Sequence, residues 1–195
     1  MPPASPPRST LTTAPAATAR ARGTSDTQLR DRVELVLTEF LEHQAEVLRE
    51  VSEDCSPVLD VVSALLSGGK RLRPAFCYWG FRGADGGVPD EDEDGIVTAA
   101  AALELFQAAA LLHDDVMDDS DTRRGQPAAH RKFAALHAQA GWSGSAERYG
   151  LAGAVLAGDL CLSWSDELYA RAPLDLDALR RGRTVFDVMR TQLMG

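Results

Sequence analysis

The sequence predicts an all-α fold, and three observations carry that expectation. Apolar residues recur at spacings of three and four from Leu29 onward, no useful length alternates with a period of two, and Gly, Pro and Ser separate the apolar runs. At 195 residues the chain can bury the core of one ordinary domain.

Residues 1–24 stand apart. They are rich in Pro, Ala, Ser and Thr, carry Arg8, Arg20 and Arg22, and contain no acidic residue. Leu11 is the one large aliphatic side chain after Met1, so the segment buries too little apolar surface to offset the entropy of ordering it. A disordered tail is expected there rather than an amphipathic transit peptide, with the folded domain over 25–195.

Ser25 and Gln28 form a capping box, and Leu29, Val33, Leu37, Phe40, Leu41 and Leu48 follow it at helical spacing, so a helix is expected over 25–51. Ser56-Pro57 opens a second helix, with Val58, Val61, Val62, Leu65 and Leu66 on its apolar side, and Gly68-Gly69 stops it. Pro74 starts a short third through Phe76, Tyr78 and Trp79. After Gly86-Gly87 a long helix is expected over 89–118. The acidic run at 90–94 lies at its start, where negative charge suits the helix dipole, and is given no catalytic role. Beyond a loop at 125–127, helices are expected over 129–139, 145–171 and 175–194.

Bulk properties exclude some classes. A formal charge of -9 speaks against a nucleic-acid partner. Cys55, Cys77 and Cys161 are odd in number and widely spaced, without a zinc pattern or disulfide framework, so a reducing cytoplasmic setting is expected. No apolar run reads as long and uninterrupted enough for a membrane span.

The chemistry concentrates where the long helix ends. Asp114 and Asp118 stand one turn apart on one face, with Asp115 beside them and Arg123-Arg124 a few residues on. Magnesium binds one or two carboxylates together with phosphate oxygens, and guanidinium forks match phosphates. Asp114 and Asp118 are therefore candidate Mg2+ ligands facing a diphosphate. A solvated acidic face is the alternative, but negative charge at a helix C-terminus is unfavourable unless a cation compensates it. Asp119 and Asp121 are expected to be solvated or paired with Arg123 and Arg124. A second cluster, Gly68-Gly69-Lys70-Arg71-Leu72-Arg73-Pro74, sets three cations before a helix start and suits an anion; a helix cap followed by solvated cations is its alternative. Together the clusters imply two diphosphates and a metal in one cavity. His113 has no His-Glu-x-x-His partner, so a packing or hydrogen-bonding role is expected rather than zinc. Asp159, in an apolar stretch, either orients an arginine or is satisfied locally.

These motifs, in this order, resemble the trans-isoprenyl diphosphate synthases (the polyprenyl synthetase family), and most of all the bacterial geranylgeranyl diphosphate synthases. The resemblance covers 29–195 and rests on Gly-Gly-Lys-Arg-Leu-Arg-Pro at 68–74, Leu-Leu-His-Asp-Asp-Val-Met-Asp at 111–118, Arg-Arg-Gly-Gln-Pro at 123–127 and Leu-Ala-Gly-Asp-Leu at 156–160. It implies an isoprenoid-synthase helical bundle. It also implies Lys70, Arg73 and Gln107 around the diphosphate of isopentenyl diphosphate, and Asp114, Asp115 and Asp118 as the first aspartate-rich motif. Arg123 would contact the allylic diphosphate and Arg124 the isopentenyl one. The implied reaction is Mg2+-dependent condensation of the two into a longer all-trans prenyl diphosphate, by a homodimer without a side-chain nucleophile.

Ala109 and Ala110 occupy positions where bulky residues keep the family's products short. The hydrocarbon pocket is thus expected to be open there, with Phe106 or Leu105 closing it deeper. Geranylgeranyl diphosphate is the expected product, and Ala109→Phe is expected to shorten it. Family members are roughly twice as long and carry a second aspartate-rich motif absent from these residues. The chain is therefore expected to be the N-terminal half of a synthase, inactive alone, with apolar faces on 25–51 and 145–194 left without partners. Two other classes stay open: a terpene cyclase, against which the second-substrate site speaks, and a non-catalytic diphosphate-binding subunit of a prenyl synthase.

Overall fold

The computed structural model describes residues 24–84 and 93–192. The tail expected over 1–24 lies, apart from Thr24, outside the described residues, as do the Gly86-Gly87 loop and the helix start near residue 89. The described residues form seven α-helices: α1 Asp26–Val51, α2 Ser56–Leu66, α3 Leu72–Ala84, α4 Glu93–Met117, α5 Ala129–Gln139, α6 Ala146–Ala170 and α7 Leu176–Gln192. A single 3-10 turn, Glu53–Cys55, joins α1 to α2. A hairpin of two short strands, β1 Thr122–Arg123 and β2 Gln126–Pro127, lies between α4 and α5. The all-α expectation holds; the loop expected at 125–127 is the turn and return strand of this hairpin, too short to carry a two-residue period.

The capping box forms as expected: the Gln28 amide donates to Ser25 Oγ (3.3 Å) and the Ser25 amide to Gln28 Oε1 (2.8 Å). The buried stripe Leu29, Val33, Leu37, Phe40 and Gln44 then runs along α1 at spacings of three and four. α3 begins two residues before Pro74, which falls in the first turn, where an absent N–H goes unmissed.

α4 is the central helix and is buried almost all round, with Ala99, Ala101, Ala102, Ala108 and Ala109 letting its neighbours approach closely. Its most extensive partner is α6, tied by a hydrogen bond from Ser165 Oγ to the Ala102 carbonyl (2.9 Å). The absence of span-like segments expected from sequence needs correction. α4 is long and apolar enough to cross a membrane, yet 67% of its most apolar stretch is packed inside the bundle. A helix apolar on every side is what a bundle centre requires. All three cysteines are free, and burial pushes the Cys77 thiol up to about 11 and Cys161 up to about 12.

One carboxylate locks the start of α4. Glu93 accepts hydrogen bonds from Tyr78 Oη and Thr24 Oγ1 (2.7 Å) and pairs with Arg32 (2.9 Å), which joins α1, α3 and α4. Burial alone would raise its pKa, but the hydrogen bonds from Tyr78, Thr24 and Arg32 outweigh it and hold the carboxyl below its ordinary value. A depressed folded-state pKa gives stability that is complete above the unfolded value, near ~4.3. That stability is lost as pH falls through the folded value. Glu93→Gln is expected to cost about 1–3 kcal/mol at pH 7, and less in acid, by urea denaturation at both pH values. An equal loss at both would contradict this.

Candidate active site

α4 ends in a left-handed cap. Asp119 has φ 48°, and the Ser120 and Asp119 amides donate to the Asp115 (2.9 Å) and Val116 (3.4 Å) carbonyls, the paired bonds that close many helices. Four carboxylates therefore crowd the negative end of a helix dipole and need cations. The hairpin supplies one. Arg124 (φ 52°) and Gly125 (φ 76°) both take left-handed backbone, the two-residue turn that best matches strand twist. Thr122 then faces Pro127, and Arg123 faces Gln126.

That turn returns Arg123 onto the helix end. Its Nε donates to Asp115 Oδ1 (2.9 Å), while Nη2 reaches both Asp115 and Asp114 Oδ2 (3.0 Å). The hydrogen bonds to Asp115, reinforced by Asp114, push the guanidinium pKa further up. The Asp115 side chain is 3% exposed and committed to Arg123, whereas Asp114 is 47% exposed and gives that arginine one oxygen. Asp118 is exposed and has no ion-pair partner among the described residues. Asp119 and Asp121 are largely solvated, 85% and 72% exposed, as the first of the two expected alternatives has it, and the arginine near them is Arg131 of α5 (3.7 and 2.6 Å), not Arg123 or Arg124. The hairpin turn points Arg124 away, toward the Leu65 carbonyl of α2 (3.5 Å).

Among the described residues no three metal-ligating side chains converge. Asp114 and Asp118, one turn apart and open to solvent, still fit a cation that takes two carboxylates and completes its shell with water and phosphate oxygens.

The cations at 70–73 divide. Lys70 and Arg73 are exposed, but Arg71 turns inward, with its side chain 4% exposed between Glu34 and Glu104. One of the three cations expected to face an anion is thus internal. On α4, Leu103, Gln107, Ala110 and Asp114 follow at spacings of four, three and four, which places them in one row. Leu103 lines an apolar cleft of 720 Å³ between α3, α4, α6 and α7, together with Arg73, Phe76, Ile96, Tyr169 and Phe186. From Leu103 to Asp114 the row is about 16 Å long at ~1.5 Å per residue. The structure separates the two alanines: Ala110 lies in the row, and Ala109 is 1% exposed in the core. Phe106 and Leu105 are also core residues, and neither lines the cleft.

His113 faces α6, its Nε2 lying 3.3 Å from the Val155 carbonyl and 3.4 Å from Asp159 Oδ1, two acceptors for an Nε2–H donor. A Cβ at Gly158 would collide with this ring, so the close α4–α6 approach needs glycine there. Asp159 faces His113, not an arginine.

A family model described as polyprenyl synthetase matches residues 56–194. The chain belongs to the polyprenyl synthetase family. It is 33% identical over 145 residues to a farnesyl diphosphate synthase of Haemophilus influenzae, covering 73% of this chain and 41% of that protein. To a geranylgeranyl diphosphate synthase of Methanosarcina mazei it is 35% identical over 105 residues, 54% of this chain and 26% of that one. A solved geranylgeranyl pyrophosphate synthase from Corynebacterium glutamicum, complexed with isoprenyl diphosphate and magnesium, superposes with a TM-score of 0.79 at 35% identity. That match covers 87% of this chain and 47% of the other. The chain thus spans less than half the length of these relatives, and its helices form part of an isoprenyl synthase bundle.

Within this family fold, sequence reasoning missed Lys132. It lines a 360 Å³ cleft with Asp115, Arg123, Arg124 and the uncapped start of α5. A single lysine on an amphipathic helix carries no signal of that placement. The inward course of Arg71 was equally hidden, because nothing local distinguishes it from Lys70 or Arg73.

Proposed function

We propose that these residues supply the diphosphate-binding face of a trans-prenyltransferase that condenses isopentenyl diphosphate with an allylic diphosphate. The row on α4 carries this reading, because it joins an apolar cleft to two available carboxylates. An amphiphile with a hydrocarbon tail and a diphosphate head has that layout. Asp114 and Asp118 would hold Mg2+, which on binding stabilises negative charge on a departing diphosphate. Arg123, held by Asp114 and Asp115, adds a fixed positive charge beside that diphosphate. Lys70 and Arg73, with Gln107 in the facing row, hold the second diphosphate, and Arg124 contributes on rotating from the Leu65 carbonyl. The allylic C–O bond breaks and diphosphate leaves with the electron pair. The isopentenyl double bond attacks the allylic carbon, and a proton is lost from the adjacent carbon. The apolar lining contributed by Phe76, Leu103 and Phe186 keeps water from the tail.

The relatives named for farnesyl and geranylgeranyl products support a short-chain synthase, and Ala110 in the row supports geranylgeranyl diphosphate. A homodimer in the cytoplasm completes the proposal, supported by exposed Leu151, Val155 and Leu156 on α6 and by three unpaired cysteines. Ala110→Phe in the active enzyme is expected to shift the main product from C20 to C15 in a chain-length assay; an unchanged product would contradict the row's role. Ala109→Phe would instead overpack the core. The reading itself is tested by calorimetry. Geranyl diphosphate is expected to need Mg2+ for binding, isopentenyl diphosphate is not, and each should bind when the other saturates. Mutual competition or no binding would refute it.

A further inference from the structure

Arg71 sits between two exposed cations yet points into the protein. Through Nε and Nη2 it donates to both oxygens of Glu34 on α1 (3.0 and 2.8 Å). Nη1 donates to Glu104 on α4, and Nη2 also donates to the Leu66 carbonyl at the end of α2, both at 2.5 Å. The Arg71 carbonyl accepts the opening bond of α3 from the Ala75 amide (3.0 Å). Four helices meet on one residue. Its φ of 49° is a left-handed conformation that a non-glycine residue adopts only when its surroundings hold it there. Burial opposes the charge, but the hydrogen bonds to Glu34 and Glu104 outweigh it, so the side chain stays cationic.

We propose that Arg71 is a positioning residue for the isopentenyl-side diphosphate, an inference that rests on the function proposed above. Glu104 precedes Gln107 by three residues, so its bond to Arg71 sets the register between the Gly68–Arg73 loop and the row on α4. Lys70 and Arg73 flank the anchored residue and are placed by it against Gln107. A buried ion pair is often matched in stability by packed apolar groups, so its distinct contribution is geometric. A lysine at this position keeps the charge but cannot reproduce the planar fork that serves three acceptors.

The test is calorimetric titration of inorganic pyrophosphate into the chain, with and without Mg2+, for the wild type, Lys70→Ala, Arg71→Lys and Glu104→Gln. Metal-free affinity is expected to fall about tenfold in Arg71→Lys and Glu104→Gln, as in Lys70→Ala. The gain on adding Mg2+ is expected to persist in all of them. A purely structural role would lower the melting temperature and leave metal-free affinity unchanged. Wild-type affinity in Arg71→Lys and Glu104→Gln, with Lys70→Ala impaired, therefore overturns the inference alone. No pyrophosphate binding by the wild type overturns the diphosphate reading and the inference with it. Should Arg71→Lys not fold, by circular dichroism, Glu104→Gln decides, since it leaves the bonds to Glu34 and Leu66 in place.

Discussion

Replacing Asp114 or Asp118 with Asn is expected to weaken Mg2+-dependent binding of an allylic diphosphate by about a hundredfold or more, equivalent to about 3 kcal/mol. Each substitution removes an anionic oxygen ligand from a cation that draws one or two carboxylates from the protein. Asp118→Asn should leave the fold indifferent, or slightly stabilised, whereas Asp114→Asn also gives up the charge of one partner of Arg123. Asp118 is exposed and unpaired among the described residues, and neutralising it relieves charge at the negative end of α4. Isothermal titration with geranyl diphosphate at fixed Mg2+ measures the loss, and thermal denaturation checks the fold. Asp115→Asn is the contrasting variant. Its carboxylate is buried against Arg123, so its neutralisation should mainly cost stability. Equal binding losses at all three aspartates, without a stability difference, would contradict this division of roles.

Arg123→Ala is expected to give the largest stability loss around the site. It would leave the 3% exposed carboxylate of Asp115 without a counter-ion. Removing one partner of a fully buried pair costs about 3–5 kcal/mol. Arg123 is itself 29% exposed, so water screens part of the pair and about 2–3 kcal/mol is the better expectation. For a chain of this size that corresponds to a melting temperature lower by about 5–10 °C. The double variant Asp115→Asn with Arg123→Ala should recover much of the loss, because no buried charge then lacks a partner. Urea denaturation of the two single variants and the double variant reads this directly. A loss under about 0.5 kcal/mol in Arg123→Ala, the range of an ordinary surface change, would contradict it.

The sequence showed most plainly what is local. The Ser25–Gln28 box needs residues three apart, and α5, α6 and α7 fall within two residues of their expected bounds because apolar spacing, and for α6 the Ser145 cap, mark them. The aspartates on α4 were legible for the same reason, since helical spacing alone puts Asp114 and Asp118 on one face. Pairings across the chain were not legible. Arg71 finds Glu34 and Glu104 at separations of 37 and 33 residues, and no local pattern separates it from the exposed cations beside it. Asp121 meets Arg131 rather than the nearer Arg123, because a two-residue turn sends Arg123 back to the end of α4. That α4 is long and apolar enough to cross a membrane yet sits in the bundle centre was also not legible, because composition does not say whether an apolar helix packs against protein or lipid.

The division of labour among the aspartates is open to direct inspection. Crystals grown with Mn2+ in place of Mg2+ and with an allylic thiolodiphosphate would locate the ion by its anomalous scattering. The expected density lies on the carboxylates of Asp114 and Asp118 and on diphosphate oxygens, with Arg123 still bound to Asp115. An ion on Asp115 with Arg123 displaced, or a diphosphate bound away from the end of α4, would contradict the proposed site.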